Sequence, residues 1–569
     1  MKNEKARAHW KIVADSLQNG GDAAWGGSGL LWALHAIDGQ VQETDDGEQS
    51  ARVAGITRDG GMEVAFDENW DASVESEDVE EESSEAADDA KPAHKLREDI
   101  GTLNIVILVV GTRGDVQPFV ALGRGLKECG HRVRLASHRD YKGFVTSFGL
   151  EFYPLGGDPK VLSEFVVENR GVLPLGVLSG NLRAIPQNLE QLRSIIFSTM
   201  GACTEPDSYG DKAPFTADAI IANPPAVGHI HCAEKLKIPL HMMFTMPWSK
   251  TKEFMHPLAR LSWNVSQTMQ KTTRFFLGDN SKGLNRFIRR RMKYTYSAVE
   301  NIMFLGLRDI INEFRKKEEM EPIGFSSKQR HILETKKVPF TYCWSPSFVP
   351  KPKDWGDHID VAGFFFLNQS SLKEYTPPEP LAKFLEEGKP PVYIGFGSMV
   401  IPDAEAVNKC IEEAVENLSE IGVRALVSKG WGGLGEGIDH PNVHLLDNCP
   451  HDWLFPRCSG VVHHGGAGTT SAGLLAECPT FVVPFFGDQP FWGEACHKAG
   501  VGPQPVAIDD LTSSVLTKAL KDMRSPEIIE QVKVVAEKIR AEDGVKQAVE
   551  AFHKHLPRPE DMKNMNWKV

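Results

Sequence analysis

Hydrophobic and polar positions follow no sustained period over residues 1–101, where Gly, Ser and acidic residues are mixed, and fall into order from Thr102 onward. Asn104 to Val110 is an unbroken apolar run, Gly111 to Pro118 a turn with two glycines, and Phe119 to Cys129 has apolar positions at helical spacing that stop at Gly130. Arg132 to Ala136 is apolar again, so the pattern predicts strand, helix, strand. Parallel strands covered on both faces read as continuous apolar runs rather than alternating ones, which makes this the opening of a doubly wound sheet. Further strands are predicted at Ala219 to Ala222 and Leu240 to Phe244.

The same texture restarts near Pro391. Strands are predicted at Val392–Phe396, Arg424–Ser428, Val443–Leu446, Gly460–His463 and Phe481–Val483, with a helix over Ala404–Leu418. Between the two units, residues 367–391 carry five prolines among polar residues and read as a linker. The expected organisation is an extension without fixed structure over 1–101, a first domain over 102–366, the linker, a second domain over 392–545, and a final segment, 546–569, that can return to the first domain. The expected fold class is α/β: two Rossmann-like, doubly wound domains facing across a cleft, where ligands sit at the carboxyl ends of the strands.

Charge narrows the function classes. The net charge is −14, but Asp67 to Asp89 holds twelve acids and no base, and without them the remainder stands at −2. Like-charge repulsion opposes a compact state in the acidic stretch, and a nearly neutral folded part weighs against a nucleic-acid binder held by backbone phosphates, which would want a basic domain. Nine cysteines without a C-x-x-C pair fit a reducing compartment, so the cytoplasm is expected. No apolar segment approaches the roughly 18 residues of a membrane span, so membrane contact is expected to be peripheral. The sequons at Asn264, Asn368 and Asn417 are then chance matches.

The most informative stretch is His463-His464-Gly465-Gly466-Ala467-Gly468-Thr469-Thr470. A strand ends at His463, small residues let a ligand approach the backbone, and a helix starts near Thr469, so free N–H groups and the positive dipole end make an anion site. His464 can add an imidazole N–H, and Thr469 and Thr470 can add hydroxyls. A glycine turn kept for packing is the plain alternative. Gly397-Ser398, after another strand, can reach the same anion. Asp488 and Gln489, after the strand ending at Pro484, offer acceptors and a donor to vicinal sugar hydroxyls, or, more plainly, a helix cap. In the first domain, Gly111-Thr112-Arg113-Gly114-Asp115 presents a carboxylate before a helix, as a proton acceptor or as a cap. Neither a dinucleotide fingerprint nor a Walker loop is present.

Together, Gly111-Thr-Arg-Gly-Asp-Val-Gln-Pro118, His463-His-Gly-Gly-Ala-Gly-Thr-Thr470 and Pro484-Phe-Phe-Gly-Asp-Gln489 resemble the UDP-sugar glycosyltransferases of the GT-B fold, specifically the sterol 3-beta-glucosyltransferases of plants and fungi, over about residues 102–545. The resemblance implies inverting transfer of glucose from UDP-glucose to a sterol 3-hydroxyl. It implies Asp115 as base, Gly114, Ser398, His464, Gly465, Gly466, Ala467, Gly468, Thr469 and Thr470 around the diphosphate, and Asp488 and Gln489 on glucose. The tryptophan that stacks on uracil in related plant enzymes is replaced by Asn448-Cys449-Pro450-His451, which leaves Trp431 as the candidate, and Asn223 stands where those enzymes carry a dyad aspartate. No D-x-D occurs from residue 102 onward, so no metal or other cofactor is expected. Phe244, Met246, Trp248 and His256 form an apolar set suited to a flat sterol, or to ordinary core. Lys271 to Lys293 interleaves basic and apolar residues, with Leu284, Phe287, Ile288 and Met292 on one helical face, as a lipid-surface helix would or as a helix packed on its own domain would.

Overall fold

Strand-sized apolar runs assemble into two parallel sheets in the computed structural model, which describes residues 52–56, 62–65, 100–162, 185–210, 212–261, 281–367, 375–397, 399–401, 403–430, 433–447, 449–558, 561 and 567. The first sheet has seven strands: β3 (Asn104–Leu108), β4 (Arg132–His138), β5 (Glu151–Leu155), β6 (Ala219–Ala222), β7 (Leu240–Phe244), β9 (Phe340–Tyr342) and β10 (Ile359–Val361). Their spatial order is β10-β9-β7-β6-β3-β4-β5. The second has five, β11 (Val392–Gly395), β12 (Ala425–Ser428), β13 (Val443–Leu446), β14 (Gly460–His463) and β15 (Thr480–Val482), in the order β13-β12-β11-β14-β15. All pairings within both sheets are parallel.

Each sheet reverses its winding once, between β3 and β6 in the first and between β11 and β14 in the second. Crevices open at the carboxyl ends of the strands at such points. The chain continues from β3 into Gly111–Asp115 and from β14 into His464–Thr470, so both informative motifs lie at switch points.

Three elements depart from the sequence expectation. Residues 52–56 (β1) and 62–65 (β2), inside the extension expected to lack structure, form an antiparallel hairpin, and β2 pairs in parallel with β8 (Ala259–Leu261). Met62 and Val64 are buried against Leu258, Ala298, Val299 and Ile302, and the Met62 N–H donates to the Leu258 carbonyl at 2.7 Å. Two apolar side chains at alternate positions suffice, because the rest of that small core comes from the first domain. The twelve-acid stretch lies outside the described residues. Helix α1 spans Arg113–Glu128, starting six residues before the expected Phe119 and carrying Pro118 inside it. The stretch expected to be a linker contains a helix, Glu379–Glu386, in which Pro378 is the cap and Pro380 sits in the first turn, where a missing N–H costs nothing.

The long helix α2 (Ser281–Lys317) covers β8 and the hairpin, and its N-terminal turns carry the second half of the basic stretch. Residues 271–280 of that stretch and the side chains of 281–291 lie outside the described set. Helix α4 (Ala467–Leu475) follows β14, with α3 (Ala404–Glu416) before it in the second domain and α5 (Gln489–Lys498) after β15. Helix α6 (Pro526–Ala541) packs on α4, and the helix after it, α7 (Gly544–His555), crosses to the first domain. Its Ala548, Val549 and Phe552 share a core with Ile105, Val116 and Leu126. The crossing joins the two domains through the chain's own end as well as through residues 367–391.

Candidate functional site

The candidate base is built from three backbone devices. Asn223, just after β6, accepts the Val110 N–H at 3.1 Å and donates to the Val110 carbonyl at 2.8 Å, so it clips the chain leaving β3. It is fully buried and acts on the backbone rather than as half of a proton-transfer dyad. Gly111 turns the chain with φ +145°, and a Cβ there would lie 2.3 Å from Asp115 Oδ2. Thr112 then caps α1: its N–H donates to Asp115 Oδ2 at 2.7 Å and its hydroxyl at 3.2 Å. The cap is therefore Thr112, with Asp115 as the third helical residue closing a capping box. Gly114, beside it, is exposed. Pro118 removes the amide that would otherwise bond the Gly114 carbonyl.

In the second domain the strand-to-helix turn is held from below. His463, fully buried, accepts the Gly465 N–H on Nδ1 at 2.9 Å. Gly465 takes φ +94°, and a side chain there would meet Val482 at 2.6 Å and the Gln489 carbonyl at 2.9 Å. Gly466 is the N-cap of α4, and its carbonyl accepts the first helical bond from the Thr470 N–H at 2.9 Å. The N–H groups of Ala467, Gly468 and Thr469 therefore have no acceptor inside the helix, and the positive dipole end lies on them. A Cβ on Gly468 would touch nothing within 4 Å, so this turn is open. The His464 ring lies along it: a Cβ at Gly466 would come within 2.6 Å of Nε2. Burial, with His451 adding, pushes the His464 pKa down to about 4, and its Nδ1 has no hydrogen-bond partner among the described residues. A neutral imidazole beside free amides is a site for an anion.

Asp488 immediately precedes α5, yet its side chain makes no capping bond. It accepts the Trp492 indole N–H on Oδ2 at 2.8 Å. Burial pushes its pKa up to about 6, the indole bond opposes this, and the negative charge of Asp115 across the gap adds to it. Asp115 is itself raised by burial, against the bonds from Thr112. The two carboxylates, one from each domain, are thus close enough for the charge of Asp115 to raise Asp488.

Other expected contacts are placed differently. Thr470 is fully buried and its hydroxyl donates to the Gly466 carbonyl at 3.0 Å, which leaves Thr469 as the hydroxyl of the pair that is partly exposed. Gln489 is 5% exposed, its Oε1 accepts the Phe485 and Phe486 N–H groups at 2.7 and 3.2 Å, and its Nε2 lies 3.5 Å from the Met399 sulfur. Its oxygen shapes the loop before Asp488 and is not free for a sugar. Ser398 and Trp431 lie outside the described residues. Phe244, Trp248, His256 and Tyr296 form a run of edge-on rings at 5.6, 4.8 and 5.1 Å. His256 is fully buried, accepts the Leu258 N–H at 3.1 Å and is pushed down to about 3 by burial, so it is core. Phe244 is buried too, while Met246 and Trp248 keep partial exposure. Trp492 was not among the residues singled out from sequence, although its spacing of four from Asp488 on a helix was a readable signal.

Metal-ligating atoms gather, among the described residues, at Glu300, His331 and Glu334, within 4.8 Å of one another. His331 Nδ1 already meets Glu300 at 2.5 Å and the Lys250 ammonium meets Glu334 at 2.5 Å, so each carboxylate of the cluster already has a side-chain partner.

Comparison with known proteins places this geometry. The model of the glycosyltransferase family 28 N-terminal domain matches residues 105–255, and that of the erythromycin biosynthesis protein CIII-like C-terminal domain matches residues 436–547. The chain is 47% identical over 461 residues to sterol 3-beta-glucosyltransferase UGT80A2 of Arabidopsis thaliana, covering 80% of this chain and 66% of that protein. It is 45% identical to UGT80B1 of the same plant, covering 80% of this chain and 69% of that protein. The chain belongs to the sterol 3-beta-glucosyltransferase family. Against the family member of Emericella nidulans, identity is 33% over 540 residues, 92% of this chain and 35% of that one, so the chain spans about two thirds of the plant sterol 3-beta-glucosyltransferases and about a third of the fungal protein. Among solved structures, the glycotransferase of kitacinnamycin (TM-score 0.53, 17% identity) and the calicheamicin glycosyltransferase CalG4 (TM-score 0.51, 14% identity) each cover 80% of this chain, and 100% and 99% of their own. They share its GT-B arrangement of two Rossmann-like domains.

Proposed function

We propose that this chain transfers glucose from UDP-glucose to the 3β-hydroxyl of a sterol with inversion, giving a steryl glucoside and UDP. The observation that carries the reading is the pairing of Asp115 from the first domain with Asp488 and the open α4 turn from the second, in a chain of this family. In the reaction the sterol oxygen attacks the anomeric carbon as its bond to the diphosphate breaks. The hydroxyl proton passes to the Asp115 carboxylate, and the bonding pair leaves with UDP. Asp115, raised by burial, is a stronger base than an exposed aspartate. The free N–H groups at Ala467–Thr469 and the His464 imidazole receive charge developing on the leaving diphosphate, and they are already oriented before it appears. Asp488 accepts glucose hydroxyls and holds the ring in line for attack. These fixed dipoles meet the charge without a bridging metal in the proposed step.

The apolar surface at Met246 and Trp248 supplies the acceptor side, and contact with a lipid surface through the basic stretch 271–293 belongs to the same proposal. No helix among the described residues is long and apolar enough to cross a membrane. Incubating the purified chain with UDP-glucose and a panel of sterols, triterpenoids and flavonoids, with products read by mass spectrometry, tests the assignment. Steryl glucoside as the main product is expected. Preference for a flavonoid overturns the acceptor, and UDP release without any glycoside overturns the transfer.

A further inference from the structure

We infer that Trp492 is a positioning residue that ties the direction of the Asp488 carboxylate to the docking of the two domains. The inference rests on Asp488 holding the sugar and adds what holds Asp488. Asp488, just before α5, and Trp492, on it, are four apart, and the indole N–H is donated to Asp488 Oδ2 at 2.8 Å. That indole is fully buried, so its single N–H has no water to turn to and the bond fixes both partners.

Two of the rings packed on the indole come from the other domain. Its ring lies parallel to Phe348, 6.3 Å between centroids and 9° between planes, and edge-on to Trp344 at 6.0 Å and 73°. Both residues follow β9 in the first domain. They are themselves held: the Trp344 indole donates to the Val349 carbonyl at 3.0 Å, and the Phe348 N–H donates to Ser345 Oγ at 3.1 Å. Ser345 Oγ in turn donates to Glu542 at 2.9 Å, at the point where the chain leaves α6 to cross between domains. Phe491, the neighbour of Trp492, meets Phe254 of the first domain edge-on at 5.2 Å. The first domain therefore sets the indole and the indole sets the carboxylate. Separation of the domains removes the aromatic wall and frees the carboxylate to turn away from the sugar, while the diphosphate turn on α4 stays intact. Facing Asp488 from the first domain is Asp115, and the indole bond is what opposes burial and that charge in keeping Asp488 ionised.

Trp492→Phe keeps an aromatic ring and removes the N–H, and its test compares it with Asp488→Asn and with Phe348→Leu, which loosens the wall but leaves the bond. Steady-state kinetics with UDP-glucose over pH 5–9 and calorimetric binding of UDP, which lacks the sugar, are read together with the melting temperature. A hydrogen bond to a charged group is worth a factor of about ten or more. Trp492→Phe is expected to raise the KM for UDP-glucose about tenfold and to move the acidic limb of kcat/KM to higher pH, with UDP affinity within twofold of the parent. Phe348→Leu is expected to change KM in the same sense but less. If Asp488→Asn alters kinetics while a folded Trp492→Phe leaves both KM and the acidic limb in place, the inference is overturned. If Trp492→Phe does not fold, unchanged KM in Phe348→Leu overturns it. If Asp488→Asn itself changes nothing, the sugar-holding role of Asp488 is what fails.

Discussion

Replacing Gly111 with alanine strikes the candidate base without touching its chemistry. The new Cβ would fall 2.3 Å from Asp115 Oδ2, 2.5 Å from Cγ and 2.8 Å from Cβ. Rotating the carboxylate relieves the first two contacts but not the third, because the Cβ of Asp115 is fixed to its backbone. The first turn of α1 must therefore shift, by about 1 Å to restore ordinary carbon contact. Alanine must also accept φ +145°, a conformation that costs a side-chain-bearing residue about 1–3 kcal/mol. A displacement of about 1 Å in a reacting group costs about 100-fold in rate. The expected result is a fall in kcat of about that size, a melting temperature lower by several degrees, and UDP affinity unchanged, since the nucleotide-binding turn lies in the other domain. Sterol glucosylation by Gly111→Ala within threefold of the parent, at a temperature where it is folded, refutes the reasoning.

Two further predictions separate holding the sugar from holding the loop. Burial pushes Asp488 up to about 6 from the 3.8 of an ordinary aspartate, so the folded state binds its proton more tightly and keeping it ionised above pH 6 costs the fold on the order of 3 kcal/mol. Asp488→Asn is expected to melt higher than the parent at pH 7–8, with the gain shrinking to nothing below about pH 4, and to raise the KM for UDP-glucose; an equal melting temperature at pH 8 contradicts the burial argument. Gln489→Ala strips the acceptor from two buried amides, at Phe485 and Phe486, each worth about 1–3 kcal/mol. Its expected first effect is lower thermal stability, and a variant as stable as the parent contradicts the loop-holding role.

The parts of the fold readable from sequence were those whose cause is local. Ala219–Ala222, Leu240–Phe244 and Gly460–His463 appear as strands with the predicted bounds, each buried throughout and read from a near-continuous apolar run, and the partly exposed edge strand Val443–Leu446 matches its predicted bounds as well. The hairpin at 52–65 was not legible: Met62 and Val64 are two apolar residues among glycines and acids, and their burial depends on Val299 and Ile302, which lie far along the chain. The early start of α1 was hidden by its glycines and Pro118, since the capping box at Thr112 and Asp115 outweighs poor propensity. At the site, motif order pointed to Asp115, His464 and Asp488 as candidates, but the direction of a side chain is a tertiary property. Gln489 carries an acceptor and Thr470 a donor that look available in the sequence, but the fold spends them on the Phe485 and Phe486 amides and on the Gly466 carbonyl. Trp492 gains its role from Phe348 and Trp344, which no local pattern connects to it.

The base assignment is tested most directly by Asp115→Asn. The change keeps an acceptor for the Thr112 N–H but leaves no group able to take the sterol proton. At saturating UDP-glucose and sterol, steryl glucoside formation is expected to fall by about 100- to 10,000-fold, with calorimetric UDP binding within threefold of the parent. Turnover within tenfold of the parent, with UDP bound as tightly, contradicts the assignment.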